Sequence, residues 1–195
     1  MIVIGDVHGQ FDMLMRLVDK LPQVDDLCFV GDLIDRGPKS KEVIEFVRKN
    51  CHKVVLGNHE NFVLEGSGMW CHPAIGGLDT IKSFGGYDEF LKTDVTEWIR
   101  SLPFMIQCGK YLITHSFAYD GINTPKYDLL WNRLFGIGSI EDTDIINIFG
   151  HTPVKSAQKI HKKHWNIDTG AAYSNRLSAI DLDDEKIYFV ESDGV

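Results

Sequence analysis

Aspartate, histidine and asparagine recur in this chain beside glycine, in Gly5-Asp6-Val7-His8-Gly9, Gly31-Asp32-Leu33-Ile34-Asp35-Arg36-Gly37 and Gly57-Asn58-His59-Glu60, then in Thr114-His115 and Gly150-His151-Thr152-Pro153. Carboxylate, imidazole and amide oxygen without any thiolate suit hard or borderline divalent ions such as manganese, iron or zinc, and argue against a structural zinc knot. Six candidate ligands, Asp6, His8, Asp32, Asn58, His115 and His151, exceed what one catalytic ion with open positions can use. Two ions sharing a carboxylate fit better, and Asp32, which leads the second run, is the natural bridge. Such a pair, about 3.5 to 4 Å apart, can lower the pKa of a shared water, orient it and clamp phosphoryl oxygens during in-line displacement.

These residues need a frame that brings them together. Ile2-Val3-Ile4 is an apolar run ended by Gly5, and Phe11, Leu14, Val18 and Leu21 then recur at helical spacing, which predicts a helix over 10–21 stopped by Pro22. Leu27-Cys28-Phe29-Val30 reads as a buried strand, Ser40 can cap a helix carrying Val43, Ile44 and Val47, and Lys53-Val54-Val55-Leu56 reads as a third strand. Further strands are predicted over 111–114, 145–149, 165–167, 177–180 and 186–190. Each of the six ligand candidates then follows a strand, and in α/β sheets the strand ends open on one crevice. Early strand–helix alternation followed by strands with little helix predicts an α/β domain with a mixed sheet and an antiparallel C-terminal portion. Residues 61–105, rich in glycine among Met69, Trp70, Ile75 and Phe84, interrupt the order as a lid or pocket wall within a single domain over 1–195.

Composition narrows the partners. A length of 195 residues with 44% hydrophobic content suits one compact domain. A net charge of -8, with acids scattered, leaves no footprint for wrapping nucleic acid, and bound cations plus a few arginines would have to counter the protein's own field at a phosphate. No apolar run approaches the roughly 18 residues that span a bilayer. Cys28, Cys51, Cys71 and Cys108 form no C-x-x-C pair, and the chain opens on a strand, not a signal peptide, so reduced thiols and a cytoplasmic location are expected.

The motif series, together with Leu130-Trp131-Asn132-Arg133 and Ile167-Asp168-Thr169-Gly170-Ala171, resembles the calcineurin-like metallophosphoesterases, in their phosphoprotein phosphatase branch, and within it the bacteriophage lambda type of serine/threonine protein phosphatase. The resemblance runs from Ile2 to about residue 182. It implies central mixed β-sheets in a β-sandwich flanked by α-helices. It also implies one metal on Asp6, His8 and Asp32 and a second on Asp32, Asn58, His115 and His151, with manganese foremost and iron, zinc or nickel as alternatives. His59 would be the general acid, Asp35 its orienting carboxylate, and Arg36 and Arg133 the phosphate grip. The implied reaction is hydrolysis of phosphoserine and phosphothreonine, and of phosphotyrosine as a further substrate, in a phosphoprotein or phosphopeptide, by direct attack of a metal-bridging hydroxide in a monomeric enzyme. Hydrolysis of dinucleoside polyphosphates such as diadenosine tetraphosphate is the alternative, which length disfavours; a non-catalytic metal-binding scaffold is opposed by the intact His59, Asp35 and Arg36. The chain departs from the family at Leu56, where many relatives carry arginine, and at Ser116-Phe117, where small residues are common, and both departures bear on substrate choice.

Residues outside the motifs have plainer readings. His52, His72, His161 and His164 are expected at the surface, as are Arg16, Arg48, Arg100 and Arg176. Asp168 and Thr169 are expected to brace a turn near the site, and Trp70, Trp98 and Trp165 to pack, while Trp131, two residues before Arg133, is the tryptophan to watch as a substrate platform.

Overall fold

A computed structural model describes residues 1–22, 25–50, 52–66, 68–133 and 144–192. Cys51 lies outside them; Cys28, Cys71 and Cys108 are free thiols. The strands are β1 (Ile2–Ile4), β2 (Leu27–Phe29), β3 (Lys53–Val54), β4 (Met105–Cys108), β5 (Tyr111–Thr114), β6 (Ile146–Phe149), β7 (Gln158–Ile160), β8 (His164–Asn166), β9 (Arg176–Asp181) and β10 (Ile187–Glu191). The helices are α1 (Phe11–Val18), α2 (Ser40–Lys49), α3 (Asn58–Glu65), α4 (Gly77–Ser83), α5 (Tyr87–Leu91), α6 (Val95–Arg100) and α7 (Lys126–Trp131).

Among the described residues two five-stranded mixed sheets form, in the orders β10-β9-β1-β2-β3 and β4-β5-β6-β8-β7. Alternation along β1 explains how they pack. Val3 turns with Cys28 and Ile180 toward Ile113 and Ile148 of the second sheet, whereas Ile2 and Ile4 turn with Phe29 toward Leu14, Leu17, Ile44 and Val47 of α1 and α2. With both faces covered, the central strands are continuously apolar, which is why they were legible as short hydrophobic runs.

The antiparallel C-terminal portion is β9 and β10, which pair with each other and return β9 to β1, while β5, β6 and β8 run parallel within the second sheet. α1 ends at Val18, short of the expected Leu21. The N–H groups of Lys20 and Leu21 bond instead to Leu17 and Val18, a tightened last turn before Pro22, whose ring disfavours helical geometry at the residue ahead of it. Ser40 opens α2 without capping it, and its hydroxyl accepts the N–H of Asp35 at 3.1 Å. Residues 61–105 finish α3 and then lay α4, α5 and α6 on the helical side of the first sheet, burying Trp70, Phe84, Phe90, Val95 and Ile99 in the main core.

Among the described residues no helix is long and apolar enough to cross a membrane. His164 is buried, contrary to the surface reading, because its ring packs on Phe117 and its Nδ1 accepts the N–H of Asn147 at 2.9 Å. His52 is half-buried between Phe29 and Phe46, while His72 and His161 are exposed. Arg48 and Arg176 are also tied down, to Asp94 at 2.6 Å and to Glu191 at 3.2 Å.

Candidate active site

The loop after β2 places Asp32 between two sets of imidazoles. Its Oδ2 lies 3.5 Å from His8 Nε2 and 3.9 Å from His59 Nε2, and its Oδ1 lies 3.5 Å from His115 Nε2. Beyond His115, the Asn58 Oδ1 stands 2.8 Å from His115 Nε2 and 3.0 Å from His151 Nδ1. Two groups thus have ligand atoms all within 4.8 Å of one another: His8, Asp32 and His59, and Asp32, His115 and His151. Asp6 borders both, its carboxylate accepting the His151 N–H at 3.1 Å.

The donor set fits cations for a reason visible in the hydrogen bonds. His8 donates its Nδ1–H to the Ile34 carbonyl at 2.9 Å, and His115 donates its own to the Val30 carbonyl at 2.8 Å. Burial, the largest influence on both rings, lowers their pKa values and favours the neutral form. Each Nε2 then presents a lone pair, His8 toward the Asp32 carboxylate and His115 toward the Asn58 amide oxygen. Acceptors converge with no proton between them, and a positive ion resolves that repulsion. A backbone carbonyl fixing the tautomer from behind is the arrangement of metal-ligating histidines.

The cavity over these groups, about 270 Å³, is lined by Asp6, His8, Asp32, Arg36, Asn58, His59, Arg133 and His151, with Pro153, Asp168, Gly170 and Tyr173 completing it. His115 and Asp35 are fully buried behind this lining. Carboxylates crowd it. Burial, then the charges of Asp168 and Asp32, push Asp6 well above the usual carboxylate range. Burial and Asp32 raise Asp168 to about 7 against the bond from the Gly170 N–H. At Asp32 burial also acts upward, but the surrounding His115, His59 and His8 win and hold it low. The side chain of Arg36 touches His8 Nε2 and sits 4.8 Å from the Tyr173 ring centre, and among the described residues its buried Nε has no partner, nor does His151 Nε2. Among the described residues, three buried acids against two arginines leave the cavity short of positive charge.

The profile of the calcineurin-like phosphoesterases matches residues 1–183. The chain belongs to that family. Serine/threonine-protein phosphatase 1 of Salmonella typhimurium is 30% identical over 200 residues, covering 90% of this chain and 88% of the relative. The symmetrical bis(5'-nucleosyl)-tetraphosphatase of Actinobacillus pleuropneumoniae is 31% identical over 179 residues; the match takes in 85% of this chain but only 60% of that relative's length. A crystal structure of a candidate diadenosine tetraphosphatase superimposes over 99% of this chain and 94% of its own with a TM-score of 0.76 at 21% identity, a likeness of fold. The two substrate names occur at the same level of identity, so the likeness carries the reaction class and not the leaving group.

In this phosphoesterase His59, in the first turn of α3, pairs with Asp35 of the loop after β2. His59 Nδ1 lies 2.7 Å from Asp35 Oδ2. Although burial lowers its pKa, the Asp32 charge and the Asp35 hydrogen bond together raise it, which favours a ring that carries a proton. Sequence reasoning passed over the residues that hold this pair and the loops leading to it. Glu60, fully buried, accepts the N–H groups of Asp32 and Leu33 at 2.8 Å each and of Gly57 at 3.1 Å. Glutamate at the third position of a helix that begins after glycine was the available signal. Trp70 and Thr80 both donate to Asp35, and no local spacing announces either.

Asp168 accepts the Gly170 N–H at 2.9 Å and Thr169 Oγ1 donates to the Arg176 carbonyl at 3.0 Å, so both brace the turn, and Asp168 also faces the cavity. Trp131 stacks edge-on to His151 with centroids 6.2 Å apart. Leu56 lies in the main core, and Phe117 packs on Phe149 and His164; neither lines the cavity.

Proposed function

We propose that this phosphoesterase is a serine/threonine protein phosphatase, hydrolysing phosphomonoesters of phosphoproteins with water as the nucleophile. Asp6, His8 and Asp32 would hold one divalent ion and Asp32, Asn58, His115 and His151 the other, with manganese foremost and iron, zinc and nickel as alternatives that the same oxygen- and nitrogen-donor set would accept. Bound there, the ions would supply Lewis acidity, drawing charge from the phosphoryl oxygens and making water a nucleophile near neutral pH. Arg36 and Arg133, both on the cavity wall, would take the remaining phosphoryl oxygens through their forked N–H groups.

The observation that carries the reading is the buried His59–Asp35 pair. Nδ1–H is committed to Asp35, so Nε2, on the cavity side, is the atom that would deliver a proton to the departing oxygen. A serine or threonine alkoxide leaves poorly without that proton, and general acid help is worth roughly two to four orders of magnitude. A nucleoside polyphosphate leaving group is far less basic and needs such help much less. Tyr173, 59% exposed on the cavity rim, favours a second reading, because it could stack on a base of a dinucleoside tetraphosphate.

Side-by-side assays with manganese separate the two readings. The phosphatase reading expects a higher kcat/KM on a phosphoserine peptide than on diadenosine tetraphosphate. A preference of tenfold or more for the dinucleotide would overturn it.

A further inference from the structure

The segment over 61–105 reaches the chemistry from behind the cavity. Trp70 is 5% exposed, and its indole N–H points at the Asp35 carboxylate, 3.0 Å from Oδ1 and 3.2 Å from Oδ2. Thr80, fully buried in α4, donates its hydroxyl to Asp35 Oδ1 at 2.7 Å and accepts the Asp35 N–H at 2.9 Å. With His59 on Oδ2, both oxygens of one buried carboxylate are pinned, and among the described residues two of the three side chains that pin it come from the insert.

The backbone is held from the same side. Asp35 and Arg36 have φ of 73° and 68°, in the left-handed region that side chains other than glycine avoid. Such strain persists only where the surroundings over-determine it. Here Thr80 and Ser40 take the N–H of Asp35, and the Gly76 carbonyl takes that of Arg36 at 3.3 Å. Room for the indole comes from Gly77, where a Cβ would come within 2.7 Å of Trp70 Nε1.

We propose that Trp70 and Thr80 are positioning residues for the general acid, fixing the plane of the Asp35 carboxylate and through it the direction of His59 Nε2. This rests on the reading of His59 as the acid. A carboxylate held only by His59 could rotate with the imidazole, and small misplacements of a reacting group cost large factors in rate. The loss would fall on substrates that need the proton.

The test is leaving-group dependence. Trp70→Phe removes the N–H and keeps the ring against Phe90, whose centroid is 5.3 Å away; Thr80→Val removes the hydroxyl at equal volume; Thr80→Ser restores it. On a phosphoserine peptide we expect kcat to fall about tenfold or more in the first two variants with KM within about twofold. On p-nitrophenyl phosphate, whose leaving group needs little protonation, the fall should be at least about fivefold smaller, and Thr80→Ser should recover most of the loss. Trp98→Phe, in the same insert but packed under Arg48, controls for general loosening and should show no such split. Equal losses on both substrates, or no loss, would overturn the proposal. His59→Asn separates the two levels: if it shows the split and the clamp variants do not, only this proposal falls, whereas if His59→Asn lacks the split the general-acid reading falls with it.

Discussion

Residues at this site hold costly backbone conformations. His8, Asp32, Asp35, Arg36 and His151 all have positive φ, between 47° and 73°. At about 1–3 kcal/mol each, such strain persists only with compensation nearby, here from buried hydrogen bonds such as those of Glu60 to the loop carrying Asp32. Positions held this way resist rearrangement, so a single side chain can be altered without collapse of the rest. His59→Asn is therefore expected to lower kcat on an alkyl phosphomonoester by roughly a hundredfold or more while the protein still binds two metal equivalents. Steady-state kinetics with elemental analysis of the same sample checks this, and an unimpaired kcat would remove His59 from the proton's path.

At the level of elements, the His164 ring joins β8 to β6. Its Nδ1 accepts the Asn147 N–H, so it must be neutral there, and burial, followed by the charges of Lys163 and His161, lowers its pKa to about 4. A folded-state pKa below the unfolded value of about 6.5 means the unfolded chain binds the proton more readily. Stability is then fully present above pH 6.5 and is lost as pH falls from there toward 4. Urea titrations at pH 7 and pH 4.5 should show that part of the acid loss missing in His164→Asn; an identical loss in both proteins would contradict it. The central strands and the motifs after them were legible because an apolar run covered on both faces ends in glycine. β4 and β7 were not, since edge strands such as Gln158–Ile160 are half-polar. The insert's helices escaped because five to seven residues carry too little periodicity. Trp70 and Thr80 escaped for another reason: their partner Asp35 lies 35 and 45 positions away, and only the assembled fold brings them to it. The departures at Leu56 and Phe117 were legible as departures, but their burial in the core was not.

On the scale of the whole molecule, an acidic chain of net charge -8 concentrates buried carboxylates at one point. Before any ion binds, Asp6 is pushed well up and Asp168 to about 7, chiefly by burial. A carboxylate whose folded-state pKa is raised contributes most below its unfolded value, near 3.8, and its contribution is lost as pH rises through about 7. The metal-free protein should therefore be less stable at pH 8 than at pH 6 from this source. Cations reverse the sign, because they favour the ionised carboxylates that burial penalises. One site held at about 100 times its Kd adds ~2.7 kcal/mol, or roughly 5–10 °C in Tm for a domain of this size. Thermal scans with manganese against chelator should show a shift of at least that size, larger at pH 8 than at pH 6. A shift that shrank with rising pH would mean that the ions do not sit on this carboxylate cluster, and full activity in chelator would remove them from the reaction.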